Sequence, residues 1–134
     1  MKKRIDRIRG LRAYGGVLLV PCQVNERQRY LFLVDTGTAL TVIQRYVARE
    51  IGLDLDHPIR WQKVASVHRV EMAPVVKLES LRVGLHEVNS VEAIVLKLPS
   101  TLRVDGLLGV NFLEHFRPTF EFKEAFLVLR LVTG

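Results

Sequence analysis

Within residues 31–41, LFLVDTGTALT, an apolar run delivers a single carboxylate, Asp35, followed at once by Thr36, Gly37 and Thr38. A charge at the tip of a buried strand is costly unless it is paired or hydrogen-bonded, so this acid needs a reason to be there. Gly37 permits a tight turn with φ > 0 that brings bare backbone N–H groups to the carboxylate, and the hydroxyls of Thr36 and Thr38 add hydrogen-bonding capacity. A carboxylate held in this way is equipped for general acid or base chemistry. Read alone, the tripeptide is first an ordinary turn at a strand end, where Asp, Thr and Gly are all common.

The other reactive side chains are weaker candidates. Asp105 precedes Gly106 and the apolar pair Leu107-Leu108, and reads as a loop carboxylate. Cys22, the one cysteine, has no neighbouring histidine in the sequence and reads as a small core residue; it excludes an intrachain disulfide and a thiolate zinc site. His57, His68, His86 and His115 are too scattered for a metal centre, and nothing in the sequence calls for a cofactor.

These residues sit in a chain of 134 residues, 49% hydrophobic and 25% charged, which suits one domain with a single core. The net charge is +6, yet Lys2, Lys3, Arg4, Arg7, Arg9 and Arg12 against Asp6 place five of those charges in the first twelve residues. The remainder is nearly neutral, so nucleic acid is an unlikely partner, although a basic arm over residues 1–15 is free to touch an anionic surface. The arm is expected to be flexible, with the folded domain covering residues 16–134, and it ends at a point, near Tyr14, where a leader could be removed. Residues 13–20 are at the short limit for an export signal and contain two glycines, so a cytoplasmic location is expected with export left open; no stretch approaches a transmembrane length.

The elements that must position Asp35 follow from the pattern. Residues 17–24 read as a strand, with Pro21 requiring an edge or a bulge, and the polar cluster 25–28 turns the chain into a second strand that ends on Asp35. Ile43, Tyr46, Val47 and Ile51 lie at helical spacing, predicting a short amphipathic helix that stops at Gly52. Residues 59–98 alternate as β structure, interrupted at Pro74 and over 84–89. Residues 110–116 predict a turn or two of helix ended by Pro118, and a strongly apolar strand over 126–132 must be paired, within the chain or by another subunit.

Asp35-Thr36-Gly37 behind an apolar strand, followed by Leu107-Leu108-Gly109 within VDGLLGVNFL and a short helix, resembles the retroviral-protease-like (retropepsin-like) aspartic proteases, in particular their bacterial single-lobed members. The resemblance runs over residues 16–132. It implies an all-β fold with two short helices, a small closed β-barrel, one lobe per chain. It also implies a homodimer in which Asp35 of each chain activates one water to hydrolyse peptide or protein substrates in extended apolar segments. Thr36 would bond across the dimer, Gly37 would give its N–H to the carboxylate, and Thr38 would support the outer oxygen. Dimer contacts would come from these loops and the terminal strands, with Phe126, Val128 and Leu131 as apolar candidates. A flap over the substrate would fall at residues 61–70, including Trp61, Ala65, Ser66, Val67 and His68. Its tip departs from the family in lacking glycine. Trp61 could cover a substrate side chain or serve as a core aromatic, and His68 reads as a solvated tip residue. Two other readings stay open: a catalytically inactive module of this fold that dimerises or binds peptides, and a function centred on the basic arm.

Overall fold

A computed structural model describes residues 5–65 and 67–132; Ser66 and the start of the arm, Met1 to Arg4, lie outside the described residues. Eleven strands and two short helices make up this part of the chain. In chain order they are β1 (Ile5–Arg9), β2 (Leu11–Ala13), β3 (Val17–Val24), β4 (Arg29–Val34), β5 (Thr41–Gln44), α1 (Arg45–Glu50), β6 (Arg60–Ala65), β7 (Val70–Val83), β8 (His86–Leu96), β9 (Gly106–Leu108), α2 (Val110–Leu113), β10 (Thr119–Glu121) and β11 (Phe126–Arg130). The larger sheet has the order β2-β3-β4-β9-β5-β8-β7-β6. It returns on itself where Gln23 and Val24 of β3 pair with Arg82 and Leu81 of β7, so the expected barrel is a strand ring with a two-residue seam.

The hairpin that delivers Asp35 forms as the pattern predicts. Asn25 and Glu26, both at positive φ, make the turn between β3 and β4. Pro21 is tolerated without a bulge. It pairs with Leu31 of β4, but on its other side β2 covers only residues 17–19 and β7 only 23–24, so a missing N–H there breaks no ladder.

Three expectations need correction. Ile43 belongs to a strand: Thr41–Gln44 pairs in parallel with Ala93–Leu96, and the helix begins only at Arg45, because burial between β8 and β9 outweighs a helical spacing of a few residues. The break read at Pro74 is also absent, and the one read over 84–89 is confined to residues 84–85. β7 runs through Pro74, which faces Trp61 of the edge strand β6, and β7 joins β8 by a two-residue turn with Gly84 at φ +62.

The third concerns the arm, whose residues 5–13 are strands β1 and β2 rather than a flexible tail. β1 pairs with β11 from Ile5↔Arg130 to Arg9↔Phe126, Ile8 is buried, and the Asp6 carboxylate accepts a hydrogen bond from the Leu85 N–H at 2.7 Å. Positive charge finds use here: the guanidinium of Arg7 lies 3.6 Å and that of Arg9 4.8 Å from the centre of the Phe126 ring. β11 therefore has β1 on one edge and β10 on the other, within one chain. Val128 is buried in the chain's own core, which removes it as an open dimer contact; Phe126 is half-buried beneath its own arginines, and Leu131 bridges to Phe116.

The main core fills the ring, with Phe32, Phe112, Leu18, Leu78 and Leu108 among its fully buried side chains. Cys22 lies in it, and burial, with a smaller contribution from the Asp105 charge, pushes its thiol well above the usual range. The burial that raises it also shields the thiol from reagents. Native protein at pH 8 should give no reaction with a disulfide reagent and one equivalent after denaturation; prompt native labelling would contradict the packing. Deleting residues 1–10 should open the β11 edge and lower unfolding stability by more than about 3 kcal/mol, from Ile8 burial and the lost ladder, as read by urea titration.

Candidate active site

Asp35 stands at the end of β4, whose last residues pair in parallel with β9 in the register Phe32↔Gly106, Leu33↔Leu107, Val34↔Leu108. The register is carried one step further by the Asp35 N–H, which donates to the Leu108 carbonyl at 3.0 Å. Both sequence motifs thus end side by side, although 71 positions separate Val34 from Asp105. From there residues 36–40 loop out and return as β5, which pairs antiparallel to the other edge of β9 through Val42↔Leu107.

The loop is locked from below by a hydrogen-bond network. The Val110 and Asn111 N–H groups donate to the carbonyls of Thr38 and Ala39 at 2.9 and 3.0 Å. The Asn111 side-chain oxygen accepts from the Thr41 N–H and the Thr41 hydroxyl, both at 2.9 Å, while its amide donates to the Glu92 carbonyl at 2.8 Å. Thr41 Oγ1 in turn accepts from the Gly109 N–H at 3.1 Å. Thr41 is fully buried, so each of these groups would be costly unpaired. Sequence reasoning missed both Thr41 and Asn111. The available signal was a polar side chain inside each of two otherwise apolar runs, TVI and VNFL.

Gly109 is required for a spatial reason. A Cβ there would stand 2.7 to 2.8 Å from the backbone of Leu40 and Thr41, so only glycine lets α2 start this close to the loop. Gly37 differs from expectation: its φ is not positive, and its role is close approach, since a Cβ would lie 3.1 Å from Asp35 Oδ1. The Gly37 N–H donates to that same oxygen at 2.8 Å. Thr38 does not reach the carboxylate; its hydroxyl donates to the Leu40 carbonyl at 2.8 Å and stiffens the loop. Thr36 is exposed beside Asp35.

Leu107 points into a second, smaller apolar cluster, in which Val42, Ala73, Val75 and Ile94 are buried and Leu40, Val64, Leu96 and Leu98 are half-buried. This cluster joins the Asp35 loop to the hairpin of β6 and β7, whose strands pair from Arg60↔Val75 to Ala65↔Val70. The expected flap segment is therefore a hairpin whose paired strands reach Ala65 on one side and Val70 on the other, with Ser66 outside the described residues. Trp61 is 53% exposed on its outer strand, which excludes the core-aromatic reading, and Ala65, Val67 and His68 are exposed. Asp105 is a structural acid. One oxygen accepts from the Leu31 N–H at 2.7 Å and the other from the Tyr46 hydroxyl, which fastens the start of β9 to β4 and α1. Of the histidines, His57 pairs with Asp54 at 2.8 Å and His86 packs on Phe116.

Two substitutions test this support. Gly109→Ala should cost about 1–3 kcal/mol through the forced contact with the Leu40 backbone, and Asn111→Ala about 2–3 kcal/mol through the stranded Thr41 donors. Urea unfolding of the two variants checks both, and a change below about 0.5 kcal/mol in either would refute the corresponding contact.

With this geometry in place, comparison with known proteins is informative. The sequence matches no curated protein. Among solved structures, a retropepsin-like aspartic protease from Rickettsia conorii is similar, with a TM-score of 0.73 and 25% sequence identity over 98% of this chain and 97% of that one. No helix among the described residues is long and apolar enough to cross a membrane. Residues 20–112, a stretch that begins in β3 and ends in α2 and so contains both motifs and the hairpin, match the family model described as aspartyl protease. The chain belongs to the aspartyl protease family, and its fold is retropepsin-like.

Proposed function

We propose that the chain is an aspartic endopeptidase that works as a homodimer, with Asp35 of each subunit forming the catalytic pair. The observation that carries the reading is the geometry of Asp35: a carboxylate at a strand end, one oxygen held by the Gly37 N–H, on a loop braced by the second motif. Peptide hydrolysis by carboxylates needs two of them around one water, and each chain supplies one at this position. Two like charges brought this close share one proton, the general behaviour of aspartic-protease pairs. The ionised member takes a proton from the water as its oxygen attacks the scissile carbonyl. The protonated member hydrogen-bonds the carbonyl oxygen and stabilises the charge that develops there. Collapse of the tetrahedral intermediate breaks the C–N bond, and the amine leaves with a proton returned by the pair.

In this reading Thr36, exposed at the loop, bonds its counterpart across the two-fold axis. With β11 enclosed by β1 and β10, such a dimer draws on the Asp35 loops more than on shared terminal strands. The β6–β7 hairpin serves as the cover, and the cluster around Val42, Ile94 and Leu107 offers apolar side chains to an extended substrate. Neither step calls on a metal or cofactor.

Asp35→Asn preserves shape and removes the titrating group. It should lower kcat/KM for an apolar peptide at least about 1,000-fold with unchanged folding, and wild-type specific activity should rise with enzyme concentration as dimers form. The pH profile should be bell-shaped, because either doubly ionised or doubly protonated pairs lack one of the two roles. Equal cleavage by Asp35→Asn would overturn the catalytic assignment; absence of cleavage by wild type over the whole pH range would favour the inactive peptide-binding module, the reading that the glycine-free sequence 65–68 supports.

A further inference from the structure

A cavity of about 690 Å³ lies at the opposite end of β9 from Asp35. It is bounded by the start of β9, by α1 and by the segment 97–104. Four cations line it: Arg45, Arg49, Lys97 and Arg103, all exposed. Among the described residues none of them has a carboxylate within ion-pair distance, whereas Arg7, Arg60, Arg69 and Arg82 each do. The acid in the lining, Asp105, has both oxygens engaged by Leu31 and Tyr46 and neutralises the field only in part. Concentrated uncompensated charge of this kind, in a concave site, is repulsive in the free protein and favours an anionic occupant.

The walls are held in place. Gln44 fixes the segment at two points, donating to the Val104 carbonyl at 3.1 Å and accepting from the Leu98 N–H at 2.9 Å. The Arg103 N–H donates to the Tyr14 hydroxyl at 2.7 Å. The backbone that carries Lys97 and Arg103 is thus fixed, and guanidinium groups pair with carboxylates in a directed, bidentate geometry.

What kind of anion fits is settled by continuity. A second cavity of about 440 Å³ shares Lys97, Leu98, Pro99 and Ser100 with the first, and its far wall is Val64, Arg69 and Glu71 of the β6–β7 hairpin. The ridge 97–100 therefore leads from the hairpin and its apolar cluster into the cationic cleft. An isolated small anion has no use for this path. An extended polypeptide uses all of it. We infer that the cleft is a specificity subsite for acidic residues of the substrate, at least about three residues from the cut bond, given the roughly 3.3 Å rise per residue over the length of β9. The inference rests on the peptidase reading above, and it makes the substrate class apolar at the cut and acidic to one side.

The test uses the full chain carrying Asp35→Asn, so that binding is read without turnover. Fluorescein-labelled peptides with one apolar core and flanks of either Glu or Gln are titrated by anisotropy at low and high salt. The Glu-flanked peptide should bind at least tenfold tighter, and the advantage should shrink with salt and disappear in Arg49→Gln/Arg103→Gln. Reversing the charge, Arg49→Glu/Arg103→Glu, should transfer the preference to Lys-flanked peptide, a gain that a misfolded variant cannot show. Equal binding of the two peptides, or a preference that survives the double substitution, overturns the subsite. Displacement of the peptide by an oligothymidylate of equal charge at lower concentration overturns it in favour of a nucleic-acid site. Parallel cleavage assays on the wild type separate the two levels: turnover without acidic preference sinks the subsite alone, and acidic preference without turnover at any pH sinks the peptidase reading alone.

Discussion

Everything at the candidate site depends on the parallel pairing of β4 with β9. Six residues of pairing place the end of one motif against the end of the other, and the Asp35 N–H to Leu108 carbonyl bond extends the ladder to the carboxylate itself. A parallel pair cannot be made by a turn; it needs a long crossover, and here the crossover contains β5 to β8 and most of the core. The site is therefore as stable as the ring that surrounds it. β5 then fills the other edge of β9, which leaves the Asp35 loop suspended between two neighbours of one central strand.

The loop gains its shape from contacts that only small or polar groups allow. Gly109 admits the Leu40 backbone, and Thr41 with Asn111 satisfies donors that burial would otherwise strand. Such a network fixes geometry better than apolar packing does, because each partner is directional and each loss is costly. Gly37 and Thr38 complete the arrangement in different ways, one by approaching the carboxylate and donating to it, the other by tying the loop to itself. The result is a carboxylate whose position is prescribed while one face of its loop stays open.

The charge distribution acquires meaning only in three dimensions. In the sequence, positive charge concentrates in the first twelve residues. In the fold, Arg7 and Arg9 of that stretch are spent on Phe126 and Glu121, and β1 covers an edge of β11. A cationic cleft is assembled from Arg45, Arg49, Lys97 and Arg103, which are scattered through an otherwise balanced part of the chain. Linear charge runs and surface fields are separate properties.

The amino-acid sequence by itself determined the β3–β4 hairpin, the carboxylate at its end, the Leu107-Leu108-Gly109 partner and the family, because alternating apolar residues, turn chemistry and short motifs act within a few residues of themselves. It also located the hairpin at residues 61–70. Tertiary structure decided what depends on distant partners. Ile43 is a strand because β8 lies beside it, Thr38 turns from the carboxylate to Leu40, and residues 5–13 are ordered because β11 and β3 offer them edges. Asp105 shows the same division: a loop carboxylate by sequence, it becomes a latch only when Leu31 and Tyr46 arrive from more than fifty residues away. Local rules specify which groups a segment carries; the long-range pairing of the ring specifies which of them meet.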